Sequence, residues 1–459
     1  MRNSDPSVKT NVSQSLIDAI TCSLEPHELS RLIVGLSGGL DSSALLHALV
    51  TLKKTETNLK NIPILAIHVH HGLSEHADHW QQHCEQQCKD LSIEFITEPV
   101  QLDAAKGSLE NAARNARYDV FKKYVQSGDL LLLAHHQDDQ VETFMMRLMR
   151  GSGLTGLTAM ASQRVFAKGK IVRPWLHHSR SELETYVNDN RIAFIQDESN
   201  TDTQFDRNWW RHRLLPKLFK RYPQASQSLM KTIEVLQQER QVLDDLLQPI
   251  YANATGFDQQ FTQSITLNCQ ALLQHTSGVQ AQLIRMWLQQ QGVHPGLSGD
   301  QIQTLMSDVV QAKHDAEPVY QWGQQTIRRF AGALYVVPVN PLQPATESMA
   351  TIEITTDASE IHLLSPFSGT LISSQGVKSG LVSGEYQMAF YQASMSAKPL
   401  NRPTKPLKKW FQECAMPPWL RASWPIIMKH GQVACVPGVF VCDGHAVENG
   451  HQLQYRLQK

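Results

Sequence analysis

Between residues 31 and 150 short apolar runs alternate four times with stretches of helical spacing. Leu32, Ile33 and Val34 open the series and are followed by a helical pattern over 41–53. ILAIHVH at 64–70 precedes a helix at 75–90, IEFITEPV at 93–100 one at 108–126, and LLLLAHH at 130–136 one at 138–150. Apolar runs this short, bounded by turns and followed by amphipathic helices, are the pattern of βα units in a doubly wound parallel sheet. Such sheets bind ligands at the C-terminal ends of their strands. Beyond Pro216 the pattern turns helical, with one long helix predicted over 228–251 and two more around Val279–Gln291 and Ser298–Val310, ahead of a strand in LYVVPV. The Pro-, Thr- and Ser-rich tract 340–360 reads as a linker. The remainder mixes short strands and turns. The expected organisation is therefore an α/β catalytic domain over 1–220, a connecting helix over 221–251, a small helical domain over 252–340, a linker and irregular segment over 341–379, and a small α+β domain over 380–459.

With 459 residues, 41% hydrophobic and 19% charged, the chain is long enough for two or three cores. The segment MRNSDPSVKTNVSQSL has no apolar signal core, and no run approaches the roughly 18 apolar residues of a membrane span, so a cytoplasmic, membrane-free protein is expected. Seven scattered cysteines suit a reducing compartment; Cys84 and Cys88 are four apart, which is not a C-x-x-C pair. A net charge of −1 carries no global nucleic-acid signal, but local charge does. Residues 205–221 hold six Lys or Arg against Asp206, and 402–429 hold six against Glu413. Two basic stretches on a neutral chain suit RNA held at defined places, with Arg207, Arg211, Lys408 and Lys409 as candidate contacts; a solvated basic face is the competing reading of either stretch.

The candidate chemistry falls at the strand ends. GLSGGLDS, residues 35–42, joins the first strand to its helix, where unpaired N–H groups and the helix dipole favour an anion. Ser37, Gly38, Gly39, Leu40, Ser42 and Ser43 form a phosphate cradle, and the missing G-K-[ST] ending separates it from an ordinary P-loop. Asp41 would repel phosphates unless a cation sat between them, which implies Mg²⁺ at Asp41; a helix cap is its simpler role. His68, at the end of the second strand in HVHHGL, is a candidate nucleotide contact; a metal site from three close histidines is the competing reading, disfavoured because His71 points away from the side shared by His68 and His70 and no Cys or carboxylate partner is near. In AHHQDDQVET, Asp139 and Glu142 project together at i and i+3 near a helix start at the ligand edge, where two carboxylates could hold a cationic substrate such as lysine; a capping acid on an ordinary solvated face is the competing reading. Arg114 and Arg117 share a helix face and could offset phosphate charge, while of the adjacent Trp209 and Trp210 one could stack on a base or both could pack in a domain interface.

SGGLDS resembles the signature of the PP-loop ATP pyrophosphatases, which split ATP between the α and β phosphates and adenylate a substrate oxygen. The ordered set SGGLDSS, HVHHGL, NAARNARY, AHHQDDQVET, RGSGLTGLTAM, RPWL, DESNTD and DRNWWRHRLLP, with LKKWFQECAMPPWLRASWPII near the end, resembles the tRNA(Ile)-lysidine synthetase family over about the first 220 and last 60 residues. Ser74 departs from the Arg that commonly follows HGL there. The resemblance implies a ligase that uses ATP and Mg²⁺ to join L-lysine to C2 of the wobble cytidine of an isoleucine tRNA with a CAU anticodon. It assigns the adenylation transition state to Arg117 and His136 beside Asp41, lysine recognition to Asp139 and Glu142, and tRNA measurement to the later domains, and it is compatible with a homodimer. Two alternatives stay open: a PP-loop enzyme acting on a small molecule, and a non-catalytic nucleotide-dependent RNA-binding protein.

Overall fold

The computed structural model describes residues 6–24, 29–72, 74, 76–101, 109–293, 296–313, 316–323, 325–339, 350–354, 360–363 and 369–457. The chain forms two units, Met1–Leu243 and Asp244–Lys459.

In the first unit, α1 (Pro6–Ser23) precedes β1 (Arg31–Gly35), α2 (Leu40–Thr55), β2 (Ile64–His70), α3 (Ala77–Asp90), β3 (Glu94–Pro99), α4 (Leu109–Tyr124), β4 (Asp129–Leu132) and α5 (Gln137–Met149). The sheet runs β3-β2-β1-β4, all parallel, and is extended by a hairpin of β5 (Gln163–Phe166) and β6 (Gly169–Val172), with β6 parallel to β4 and β5 antiparallel at the edge. Alternation along β1 sorts its side chains between two apolar layers. Leu32 and Val34 pack with Leu45, Leu49 and Trp175 on one face, while Ile33 packs with Leu65, Leu131 and Phe121 on the other. Burial on both faces explains why these strands read as unbroken apolar runs.

Three local differences from the sequence reading have physical causes. The N-terminal segment, judged above only for what it lacks, forms α1; Leu16 and Ile20, four apart, are fully buried, and Trp175 donates its indole N–H to the Leu16 carbonyl at 3.0 Å. β4 ends at Leu132 instead of residue 136, because the chain leaves the ladder before His135 and His136. The edge hairpin was not predicted, since its four-residue strands are only partly covered.

After α6 (Leu154–Leu157) and α7 (Arg180–Asp189), the chain enters α8 (Asp206–Trp209), a five-residue π-helical turn over Trp210–Leu214, α9 (Leu215–Arg221) and α10 (Ala225–Ala254). π turns of this kind recur at functional sites.

The second unit contains the two helices expected over 252–340, at Ser277–Gln290 and Gly299–Leu305, but also a five-stranded antiparallel sheet whose outermost strands are Thr255–Asp258 and Val319–Trp322. Trp287, Leu283 and Ile284 carry that core. Strands at Ala350–Ile354, Glu360–Leu363 and Gly369–Val377 stand where composition predicts an irregular linker; 340–349, 355–359 and 364–368 lie outside the described residues. They belong to two further five-stranded sheets around Trp410, Phe411 and Trp424.

Candidate active site

The loop after β1 is shaped from within. Gly38 has φ +82°, a left-handed conformation, and a Cβ there would lie 2.9 Å from both Cys84 Sγ and Ile195 Cδ1. Ile195 donates its N–H to the Gly38 carbonyl at 2.9 Å, and the Ser43 hydroxyl donates to the same carbonyl at 3.3 Å. Ser37 N–H donates to Ser42 Oγ at 3.2 Å, Ser42 donates to the Gly39 carbonyl at 3.1 Å, and the Ser37 and Ser42 hydroxyls meet at 3.0 Å. The loop is thus held in shape by its own hydrogen bonds.

Asp41, on the first turn of α2, faces Arg180 Nη1 at 3.4 Å and His136 Nε2 at 3.8 Å through Oδ2, whereas its Oδ1 is buried with no hydrogen-bond partner. Burial raises the Asp41 carboxyl above its ordinary range, outweighing His136 and Arg180. His136, 1% exposed, caps α5 and has Asp138 at 3.3 Å and Asp139 at 3.6 Å as well. Burial opposes its charge, but Asp139, Asp138 and Asp41 together raise its pKa. His68 donates through Nδ1 to the Leu36 carbonyl at 2.9 Å, and burial holds its pKa low.

A cavity of about 640 Å³ joins these elements. Ser37, Gly39, Asp41, Ser42, His68, Arg117, Asp139, Arg207 and Arg211 all line it. Gly38, Leu40, Ser43, His136 and Glu142, also expected at ligands, do not. Leu40 and Ser43 are buried on the helix side of the loop, and His136 and Glu142 lie one layer behind the wall, each 1% exposed. Desolvation lowers the Arg117 pKa.

The acid pair differs most from expectation. The sequence reading offers Asp139 and Glu142 to a cationic substrate and Arg207 and Arg211 to RNA; the structure pairs the two sets with each other. Arg207 donates to Asp139 Oδ1 at 2.7 Å and to Glu142 Oε2 at 2.8 Å. Arg211 donates to Glu142 Oε1 at 2.6 Å, to Glu142 Oε2 at 2.9 Å and to Asp139 Oδ1 at 3.1 Å. Asp139 Oδ2 accepts the His136 backbone N–H at 3.1 Å. Burial opposes the Asp139 charge, yet Arg207 and His136 hold its pKa far below the usual carboxylate range. α8 and the π-helical turn place the two guanidiniums, one turn apart, over the start of α5. Of the paired tryptophans, Trp210 packs into the core beside α5 and Trp209 is exposed.

Arg180 and Ile195 were missed by sequence reasoning, each placed by a tertiary contact that no local spacing reports, while His135 and Arg173 were seen only within their motifs and given no role of their own. In the second unit Lys408 and Lys409 are exposed on the helix Leu407–Glu413, while Lys405 pairs with Glu413 and lies 4.7 Å from the Trp410 ring centroid.

A parallel sheet with a Gly/Ser cradle and an acid at its strand ends defines a PP-loop enzyme domain, and the PP-loop domain family matches residues 9–218. The TilS substrate binding domain matches 267–335 and the TilS substrate C-terminal domain 386–457. A tRNA(Ile)-lysidine synthase of Vibrio vulnificus (strain YJ016) is 38% identical over 415 residues, 90% of this chain and 92% of its own. The Serratia proteamaculans (strain 568) protein of the same name is 35% identical over 424 residues, 92% of this chain and 94% of its own. A solved TilS C-terminal domain aligns with 24% of this chain and 99% of its own at 22% identity, with a TM-score of 0.20. The chain belongs to the tRNA(Ile)-lysidine synthase family.

Proposed function

We infer that this protein is the ligase that joins lysine to C2 of the wobble cytidine in a CAU-anticodon isoleucine tRNA, at the expense of ATP. The observation that carries the reading is that the PP-loop, Arg117 and the Asp139–arginine cluster line one cavity, in a chain similar to these synthases over nine-tenths of its length. The cytidine O2 attacks the α phosphorus and pyrophosphate leaves. The lysine ε-amine then forms a bond to C2, the C2–O bond breaks, AMP leaves and the amine gives up a proton.

Each residue suits one of these tasks. Ser37, Gly39 and Ser42 cradle the departing pyrophosphate at the α2 N-terminus. Arg117 offsets phosphoryl charge as it builds. His136, its pKa raised by three neighbouring carboxylates against the effect of burial, lies behind Asp41. The buried, unpartnered Oδ1 of Asp41 fits a divalent cation, and Mg²⁺ held there would screen the phosphates. Lysine carries charges of both signs, and the cavity offers both: Asp139 to an ammonium, Arg207 and Arg211 to the carboxylate. Glu142 is a positioning residue in this reading, because it reaches lysine only through the arginines it holds. Lys408 and Lys409 take tRNA phosphates. Scattered free cysteines suit the cytoplasm, where tRNA is modified, and among the described residues no helix is long and apolar enough to cross a membrane.

Pyrophosphate release with and without tRNA tests the assignment. Release should require a transcript with a CAU anticodon and cytidine at the wobble position; equal release with no RNA, driven by a small metabolite, would replace it by the small-molecule reading.

A further inference from the structure

His135 lies beside the catalytic cluster but takes no part in the scheme above. It lines the same cavity, and its environment fixes which of its nitrogens carries the proton. Arg173, 4% exposed, donates from Nε to His135 Nδ1 at 3.2 Å and from Nη1 to the Ala161 carbonyl at 2.8 Å, so its guanidinium is held behind the ring. A guanidinium has only donors, so His135 Nδ1 must be an acceptor and bear no hydrogen. The ring is then either neutral with its hydrogen on Nε2 or, at unrealistic pH, an anion. Burial above all, with Arg173, Arg207 and Arg117 adding to it, pushes the pKa of His135 well below its ordinary value, against the pull of Asp139, so the neutral ring persists through the physiological range. Among the described residues Nε2 has no protein partner.

We propose that His135 is a substrate-contacting residue that presents an obligate Nε2–H donor to the cavity, and that Arg173 is the positioning residue that fixes this tautomer. The ligand it suits is a hydrogen-bond acceptor on a substrate: either a phosphoryl oxygen of ATP or the O2/N3 edge of the target pyrimidine. The inference rests on the proposed ligation for the identity of these substrates, but not for the tautomer. The adjacent histidines of the AHH segment thereby divide their labour. His135 is a neutral donor that cannot accept the lysine proton at Nδ1, whereas the carboxylates around His136 raise its pKa.

Two measurements on the full chain test this. In protein labelled with ¹⁵N-histidine, the signals lost in His135→Gln should be those of a neutral ring with Nε2 protonated and Nδ1 bare; Arg173→Met should convert them to a mixture of tautomers, and Arg173→Lys, which keeps a donor, should restore much of the original pattern. Bare Nε2 with a protonated Nδ1 would overturn the proposal whether or not the protein makes lysidine. In kinetics, His135→Ala should lower kcat/KM for pyrophosphate release ten- to a hundredfold, the range for losing a hydrogen bond to a charged or developing-charge acceptor. His135→Gln, whose amide nitrogen reaches the Nε2 position, should recover part of that loss, and His135→Asn, which reaches only the Nδ1 position, should not. Loss expressed in the KM for ATP identifies a phosphoryl acceptor; loss expressed in the KM for tRNA or in kcat at saturating ATP identifies the pyrimidine. An unchanged kcat/KM in the alanine variant, or equal values for Asn and Gln, would overturn the contact. If the wild-type protein releases no pyrophosphate with tRNA, the ligation reading fails while the ¹⁵N result still decides the tautomer.

Discussion

Glu142 is buried to 1% exposure, and its two oxygens accept three N–H groups from Arg207 and Arg211. Removing one partner of such a pair leaves an uncompensated charge, which costs about 3 kcal/mol or more. Arg211→Met should therefore lower the unfolding free energy of the first unit by about that amount, and the double variant with Glu142→Gln should recover much of it; chemical denaturation of the single and double variants checks the coupling. Gly38→Ala should be worse for function than its one added methyl suggests, since the backbone is left-handed there and Cys84 and Ile195 leave no room. Loss of ATP binding with a folded sheet is the expected result of an ATP titration. For lysine the discriminating variant is Asp139→Asn, which should raise the KM for lysine roughly ten- to a hundredfold while tRNA-dependent pyrophosphate release survives better. Equal loss of both would return Asp139 to a structural role. At this scale the sequence showed the participants but not their pairing. Two acids on α5 and two arginines after residue 205 were each recognised, and each was given to an external ligand. Only the fold reveals that they neutralise one another across more than sixty positions of chain.

At the scale of elements, β2 and β3 were read closest to their observed bounds, although β3 is only partly buried. β2 is fully buried over its first six residues, which is why ILAIHVH delimits it residue for residue. α1 escaped notice because its apolar positions are spaced by four among polar residues and gain their meaning only from the Trp175 contact. The strands across 350–377 were hidden by a Thr/Ser composition that resembles a linker. Four histidines, three of them in or just after sheet strands and His47 on α2, share a thermodynamic consequence. His47, His68, His71 and His135 all have lowered pKa values through burial, with His71 near 4. In the unfolded chain each binds its proton near pH 6.5, so between there and pH 4 the unfolded state holds more protons than the folded one. Stability should therefore fall as pH drops through that window, and His71→Gln should flatten part of the slope. Thermal melts from pH 7 to 4 check this; a wild-type Tm independent of pH over the window would contradict the burial assigned to these rings.

Across the whole molecule a net charge of −1 conceals the division of work. Lys408 and Lys409 are exposed in the second unit, whereas the basic segment after residue 205 spends two of its arginines on the cavity. Replacing both lysines with alanine should weaken tRNA binding at all sequences alike and reduce the slope of log K against log salt by about 1 to 2, with pyrophosphate release at saturating tRNA little changed. A chain ending at Ala254, where α10 ends, should keep ATP binding but lose efficient tRNA modification. The claim on which everything else depends is the bond between lysine and the base. Incubation of the purified chain with ATP, Mg²⁺, labelled lysine and a CAU-anticodon isoleucine tRNA, followed by nucleoside analysis, should place the label in one modified cytidine, with AMP and pyrophosphate formed in equal amounts. Label absent from every nucleoside while ATP is split to AMP would contradict the account.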